Sequence, residues 1–336
     1  MNQMKYLIGR LLRMNYRGMF AAVGQLHKKT GKSRPWLFWD MVRCGLRYGA
    51  GYKDYTLCGF YDLTPAQRAT YVTRGVNNRI VRLCNDPGWY HCMEDKTEFN
   101  RLYGAFIRRG WLDLQGCTYD GFAEFMSGRD IVISKPAAAT CGQGIEKLCK
   151  GDFDSLEEMY DHLMADGSGL IEDLIVQHPD VSKLYPDAVN TYRIVTVLRS
   201  GVPAVVYAFI RMGNGGRFVD NFNSGGMAAP VDVETGVIAF SAVDKDGAAY
   251  EVHPATGCPI PGYQLPCWRE SVEMCLEAAK VVPQLGYVGW DVAVSEDGPQ
   301  LIEGNHFPGH DILQLPLHTP DGVGMLPRFR EFIPEL

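Results

Sequence analysis

Two apolar runs near the end of the chain, Val288–Val294 and Gln300–Glu303, flank the turn-forming Glu296-Asp297-Gly298. Such runs joined by a short glycine-containing turn read as a β-hairpin. The hairpin constrains the chain strongly because it fixes where three polar groups lie. Asp291 follows Gly289-Trp290 on the first strand; Glu303 and Asn305 sit on the second, in Glu303-Gly304-Asn305. Residues two apart in extended chain leave the same face, so closing the hairpin brings Asp291 to the Glu303/Asn305 pair. Three hard oxygen donors converging on one point suit Mg²⁺, which takes few protein ligands and keeps its other positions for water and phosphate. Two polar edge residues beside a turn are the plainer reading of the same pattern.

The chain has 336 residues, enough for one large or two to three small domains. It is 46% hydrophobic and 21% charged, as in an ordinary soluble globular protein. No apolar run approaches the roughly 20 residues that span a bilayer. Met1–Arg17 is basic but has no continuous apolar stretch and no small-residue cleavage site, so it does not read as a secretory signal. The ten cysteines include no C-x-x-C pair, which argues against a zinc site or a disulfide framework and for reduced thiols in a cytoplasmic protein. Charge is uneven. Residues 1–54 carry eleven Lys/Arg against two Asp, and the remainder 22 basic against 37 acidic residues. Such a basic region can meet a membrane surface or an anionic partner, or be a solvated helical face. The mild overall acidity argues against nucleic-acid binding.

Residues 1–88 read as a helical basic region. Leu7, Leu11, Leu12, Met14 and Phe20 recur at helical spacing, Leu37–Tyr48 repeats the pattern, and Thr64-Pro65 opens another helix. Pro87-Gly88 breaks the chain. Residues 89–188 are mixed: a helix over Asp95–Arg108, a strand over Asp130–Ser134, a helix capped by Ser155, and a strand over Gly169–Glu172. Residues 189–336 are strand-rich. Thr191–Leu198 and Ala204–Ile210 flank Arg199-Ser200-Gly201, and a helix over Glu270–Val281 precedes the Asp291 hairpin.

Lys135-Pro136 closes the first of these strands and opens a loop of small residues, Ala137 to Ile145, that includes Thr140, Cys141, Gly142, Gln143 and Gly144. Small residues let backbone amides approach a ligand, successive amides form an anion-binding concavity, and a preceding lysine adds a point charge. The loop matches neither a Walker A nor a dinucleotide fingerprint, and a plain surface loop is the alternative. Glu172-Asp173-Leu174-Ile175 ends the next strand, where free backbone could pair with the edge of an adenine. His178, in Gln177-His178-Pro179, reads as a structural loop residue. Asn190 precedes a strand in which Arg193 stands at the mouth of an otherwise apolar run; such an arginine pairs with a carboxylate or binds phosphate. Asn223-Ser224-Gly225-Gly226 is a further turn with free amides.

The order lysine and glycine loop, edge strand, Asn/Arg strand, then Asp…Glu-x-Asn resembles the ATP-grasp superfamily over residues 90 to 320. Gln177-His178-Pro179, Asn190-Thr191-Tyr192-Arg193-Ile194-Val195-Thr196, His253-Pro254-Ala255-Thr256-Gly257, Gly289-Trp290-Asp291 and Glu303-Gly304-Asn305 resemble its sugar-transfer-associated branch. The resemblance implies an α+β ATP-grasp fold, two α+β lobes (89–188 and 189–336) enclosing ATP, beside the helical N-terminal region. It implies that Lys135 binds the α- and β-phosphates and that Thr140, Gly142, Gln143, Gly144 and Ile145 fold over the β- and γ-phosphates. It assigns Lys96 to the nucleotide, Glu172 with the backbone of Asp173, Leu174 and Ile175 to the adenine, and Asp180 to the ribose. Asp291, Glu303 and Asn305 correspond to the metal triad, with Glu303 bridging two Mg²⁺ ions. Arg193, assisted by Asn190, would neutralise the γ-phosphate or the phosphorylated intermediate. Many ligases of the superfamily carry an arginine where this chain has Gly289, so either Arg193 does the corresponding work or the acyl-phosphate step is arranged differently. His306 and His310 flank the metal strand and could face an acceptor or be structural.

The implied chemistry is ligation: a carboxylate is phosphorylated to an acyl phosphate, which an amine, a thiol or another nucleophile attacks, as in joining an amino acid to a sugar or to a glycan precursor of the cell envelope. Its partners are then a small carboxylate and a small acceptor. The competing expectations are an ATP-grasp kinase acting on a hydroxyl and a non-catalytic ATP-binding module.

Overall fold

A computed structural model describes residues 15–136, 144–214 and 225–336. It divides into two compact units: the chain up to Ile80 together with His310–Leu336, and Val81–Gly309.

In the first unit, helices Tyr16–Thr30 and Arg34–Tyr48 start and stop where the sequence provides caps. The Asn15 side chain accepts from Gly18 N, Gly31 takes a left-handed conformation after the first helix, and Pro35 sits in the first turn of the second. Met19, Ala22, Val23 and Leu26 meet Leu37, Met41 and Cys44 in one buried cluster, the three-and-four spacing of paired amphipathic helices. A buried polar knot locks them, in which Asp40 accepts from Arg68 at 2.7 and 2.8 Å and from the Tyr55 hydroxyl at 2.8 Å. Gln314 belongs to this unit too: its amide donates to Val72 O at 2.9 Å and accepts from Val72 N at 2.8 Å. The segment from His310 onward, which the sequence reading assigned to the second lobe, therefore packs with the helices.

The second unit carries two antiparallel sheets. The smaller comprises β1 (Trp111–Asp113), β2 (Ile131–Pro136), β3 (Glu146–Cys149) and β4 (Ser168–Asp173) in the order β1-β4-β2-β3. One face, with Val132 and Ile171, packs on Phe122, Met126, Met159 and Leu163 of the covering helices. The larger sheet has the order β11-β10-β5-β6-β7-β8-β9, from β5 (Thr191–Arg199), β6 (Val202–Met212), β7 (Met227–Val231), β8 (Ala242–Asp244), β9 (Ala249–Tyr250), β10 (Tyr287–Ser295) and β11 (Gly298–Asn305). Strand β5 is central, rich in β-branched residues and buried along nearly its whole length. The turn between β5 and β6 places Ser200 and Gly201 at positive φ, which suits a tight hairpin.

The helix expected over Asp95–Arg108 is shorter. Asp95 caps Lys96–Leu102 by accepting from Thr97 N and Glu98 N, and the chain then turns through a 3₁₀ segment at Gly104–Phe106. Gly104, with its low helix propensity, stands where the helix has stopped. No helix among the described residues is long and apolar enough to cross a membrane.

Candidate functional site

The β10–β11 hairpin places Asp291 opposite Glu303 and Gly289 opposite Asn305. A bulge offsets the register after Asp291, and both Ile302 and Glu303 line the same cavity. On the other face Trp290 is buried, donating its Nε1–H to Thr196 Oγ1 at 2.8 Å, edge-on to Tyr103. Gly304 is required here: a Cβ would stand 2.4 Å from Met93 Sδ and 3.2 Å from Phe99. The two short motifs therefore divide their labour, one residue packing the core while its neighbours present oxygen donors.

Asp291 is 1% exposed. Arg193, directly across on β5, holds it through Nε and through Nη2 at 2.9 Å, and Arg211 of β6 donates to the same Oδ2 at 2.7 Å. Although burial opposes ionisation, the Arg193 and Arg211 guanidiniums hold the Asp291 carboxyl below its usual range. Glu303 behaves oppositely. Solvent reaches it, but protein crowds its carboxyl, and this crowding with the adjacent Asp291 charge pushes its pKa up to about 7. The two acids share a hydrogen bond. A proton held between two carboxylates marks a place where a cation can stand, and the donor set of Asp291, Glu303 and Asn305 is all oxygen, so these residues fit Mg²⁺. Asn305 Oδ1 also accepts from Phe307 N at 2.8 Å, which fixes its side chain.

Facing Glu303 is a cluster of cations. Lys96, Asn100, Arg109, Lys135, Glu172 and Glu303 line one cavity with Ile145, Leu170 and Ile302. The cavity is narrow, about 40 Å³. Lys135 ends β2 and pairs with Glu172 of β4, while Arg109 Nε donates to the other Glu172 oxygen at 2.5 Å. Arg109 also donates through Nη1 to Leu301 O at 2.7 Å and Gln300 Oε1 at 3.1 Å. Its Nη2 is buried with no hydrogen-bond partner among the described residues. Burial, then the neighbouring Arg109 and Lys96 charges, drive the Lys135 pKa well below its ordinary value; burial lowers that of Lys96, whose ammonium donates to Pro136 O at 3.2 Å. An orphaned guanidinium nitrogen and two lysines with suppressed protonation fit an anion such as phosphate. A wider surface depression of about 520 Å³ beside Asp95, Glu98, Arg101 and Asp113 has no such convergence of cations.

Other expected positions fall elsewhere. Asn190 does not reach the site. Its Nδ2 donates to Tyr185 O at 2.7 Å, and its Oδ1 accepts from Gly213 N at 3.0 Å, so a buried amide ties the start of β5 to the end of β6. Asp180 does not line the cavity; it pairs with Lys183 at 2.6 Å on a short surface helix. The Asp173 side chain accepts from Arg129 at 2.6 Å and Gly110 N at 2.8 Å, leaving its part in any adenine contact to backbone. Leu174 and Ile175 follow β4 as irregular chain. Gly144, at positive φ, and Ile145 are described, whereas Thr140, Cys141, Gly142, Gln143, Asn223 and Ser224 lie outside the described residues. His178 caps the helix Pro179–Ser182, as its loop position suggested. His306 stacks on Tyr90 at 3.9 Å between centroids and contacts Glu94 at 3.0 Å; His310, in the other unit, contacts Asp54 at 3.3 Å.

Arg109 and Arg211 escaped the sequence reading. Arg211, near the end of β6, offers the cue that identified Arg193; Arg109 lies in a bend ahead of the short, half-buried β1 and offers none. Gly289 explains the superfamily departure. A Cβ there would lie 3.2 Å from Arg193 Cδ and Nη1, so the glycine leaves room for the Arg193 guanidinium.

The state of Glu303 predicts how Mg²⁺ binds. Below pH 7 its carboxyl is protonated, and a metal must displace that proton. Mg²⁺ affinity therefore falls about tenfold per unit as pH drops below 7, and levels off above about 8. Calorimetric titration in buffers of different ionisation heat should register about one proton released at pH 6 and almost none at pH 8.5. A release that does not change with pH would contradict the shared proton.

The family model described as sugar-transfer associated ATP-grasp matches residues 76–331. No curated protein matches the chain. Among solved structures, the ATP-grasp ligase PsnB complexed with minimal precursor is 15% identical, with a TM-score of 0.44 over 78% of this chain and 69% of that one. The D-cycloserine synthetase DcsG is 12% identical, with a TM-score of 0.43 over 83% of this chain and 93% of that one. The D-alanine–D-alanine ligase from Bacillus anthracis is 14% identical, with a TM-score of 0.42 over 77% of this chain and 74% of that one.

Proposed function

Because the chain belongs to the sugar-transfer-associated ATP-grasp family, we propose that it is an ATP- and Mg²⁺-dependent ligase that activates a carboxylate as an acyl phosphate. The supporting observation is that Lys96, Lys135 and Glu172 line one cavity with Glu303 of the carboxylate hairpin. Triphosphate binds there between cations on one side and a magnesium-bearing carboxylate pair on the other. The cavity is narrower than a nucleotide, so the sheets part, or the Lys135–Glu172 pair opens, as ATP enters.

Lys135 and Lys96 hold the α- and β-phosphates, and the loop that includes Gly144 and Ile145 covers the outer phosphates. Glu172 and the backbone of Asp173–Ile175 take the adenine. Asp291, Glu303 and Asn305 hold the metal, whose chemistry is to neutralise charge on the transferring phosphoryl group. Arg193, packed over Gly289, lies beside the same point. The γ-phosphoryl group moves to a carboxylate oxygen as ADP leaves. An amine or other nucleophile then attacks the activated carbonyl, loses a proton and expels phosphate. Protein groups act by positioning and charge neutralisation, which is what phosphoryl transfer requires. A glycan precursor or an amino-acid conjugate suits the sugar-transfer context in the family's description.

The test is phosphate release with Mg²⁺ and ATP across pools of amino acids, dicarboxylates and amino sugars, with hydroxylamine added. The expected result is carboxylate-dependent phosphate release with hydroxamate trapped. Phosphate retained on a hydroxyl product would instead make the enzyme a kinase, and nucleotide binding without turnover on any pool would make it a binding module.

A further inference from the structure

The helix Arg34–Tyr48 is apolar on two sides. Its inner face buries Leu37, Met41 and Cys44. Its outer face exposes Trp36 by 45%, Trp39 by 68% and Leu46 by 63%, at three-and-four spacing with Arg43 and Arg47 interleaved. The patch continues onto the preceding helix: Phe20, 59% exposed, stacks on Phe38 at 5.6 Å, and Phe38 meets Trp39 edge-on at 5.4 Å. Scattered single apolar residues are normal on a surface; a joined aromatic ribbon is not.

The charge around the ribbon is predominantly positive; the one exposed carboxylate described beside it, Asp62, is paired with Lys32, whose ammonium lies over the Trp36 ring. Both acidic residues in 15–54 are turned inward, Asp40 against Arg68 and Asp54 against His310. Arg17, Lys28, Lys29, Arg34, Arg43 and Arg47 are exposed. Aromatic and leucine side chains fringed by arginine and lysine, on a helix lying flat against its own core, form the pattern that sits at an interface of anionic headgroups and acyl chains. A second copy of the chain is a poorer occupant, because it would bring like charge against like charge.

We propose that this outer face docks the protein on an anionic phospholipid surface, with Trp39, Leu46 and Phe20 entering the headgroup layer. Tryptophan supplies an apolar ring with a polar edge, suited to that boundary. On the proposed ligase reading, docking would bring the catalytic site to membrane-held substrate.

The test is flotation of the full chain with vesicles of phosphatidylglycerol and phosphatidylcholine in equal parts, against phosphatidylcholine alone. The chain is expected to float with the anionic vesicles only, and to be released at about 1 M salt, where the Debye length falls to about 3 Å. Trp39→Ala with Leu46→Ala should weaken partitioning about tenfold or more. Arg43→Glu with Arg47→Glu should weaken it at least about fivefold per charge. All four side chains are exposed, so circular dichroism should show both variants folded. The proposal is overturned if the wild-type chain stays with the buffer, or if both variants float as well as it does. A concentration-dependent dimer, lost in the tryptophan–leucine variant and indifferent to vesicles, would overturn it in favour of self-association.

Discussion

Glu303→Gln leaves the chain folded and lowers turnover by about 10³-fold or more, the order of loss expected when the main electrostatic element of a phosphoryl-transfer site is removed. The two halves of this result have separate causes. Glutamine reproduces the protonated form of Glu303, which the site already holds below pH 7 because protein crowding and Asp291 raise the pKa. Its amide can donate toward Asp291 much as the carboxylic acid does, and Arg193 and Arg211 still grip Asp291. Solvent reaches position 303, so no core contact is lost. A neutral amide, however, cannot neutralise a metal, and the charge of the remaining carboxylate, Asp291, is largely offset by two arginines. Unchanged steady-state rates in this variant, measured beside its thermal melting curve, would remove the hairpin from the chemistry.

Lys135→Met is the second large effect. Methionine has similar length and fills the same volume, so packing on β2 persists. Glu172 keeps Arg109 as its partner at 2.5 Å, which spares the fold the cost of an uncompensated buried carboxylate. The loss falls on the nucleotide. ATP binding should weaken at least tenfold and kcat/KM fall by about 10²-fold or more, since the buried amine that bound phosphate would hold protonated is removed where charge develops. Isothermal titration and steady-state kinetics read these separately. A variant that melted early but bound ATP normally would assign Lys135 to structure.

The sequence revealed this site unevenly, for physical reasons. The hairpin was legible because a turn, two apolar strands and three oxygen donors all agree; the bulge after Asp291, which sets Asp291 opposite Glu303 where regular pairing would give Ile302, was not legible. Strand β5 was legible from its β-branched run. Asn190 misled, because an amide before a buried strand looks like a ligand group when it is satisfying backbone at Tyr185 and Gly213. Arg109 and Arg211 were missed because a lone arginine carries no motif; only tertiary contact shows Arg109 joining Glu172 to Leu301. The Asp95–Arg108 helix was drawn too long because apolar spacing continued past the point where Gly104 lets the chain turn. The attachment of His310–Leu336 to the helical unit rests on Gln314 meeting Val72, a contact between residues 242 positions apart that no local pattern encodes.

Everything proposed for the chemistry depends on a triphosphate lying between Lys135 and Glu303. The direct measurement is equilibrium ATP titration of the wild-type chain with and without Mg²⁺, repeated on Lys135→Met and Glu303→Gln. One nucleotide should bind per chain and bind more tightly with Mg²⁺; the first variant should weaken binding under both conditions, and the second should abolish the Mg²⁺ enhancement alone. Saturable binding that neither substitution alters, or no binding at all, would contradict it.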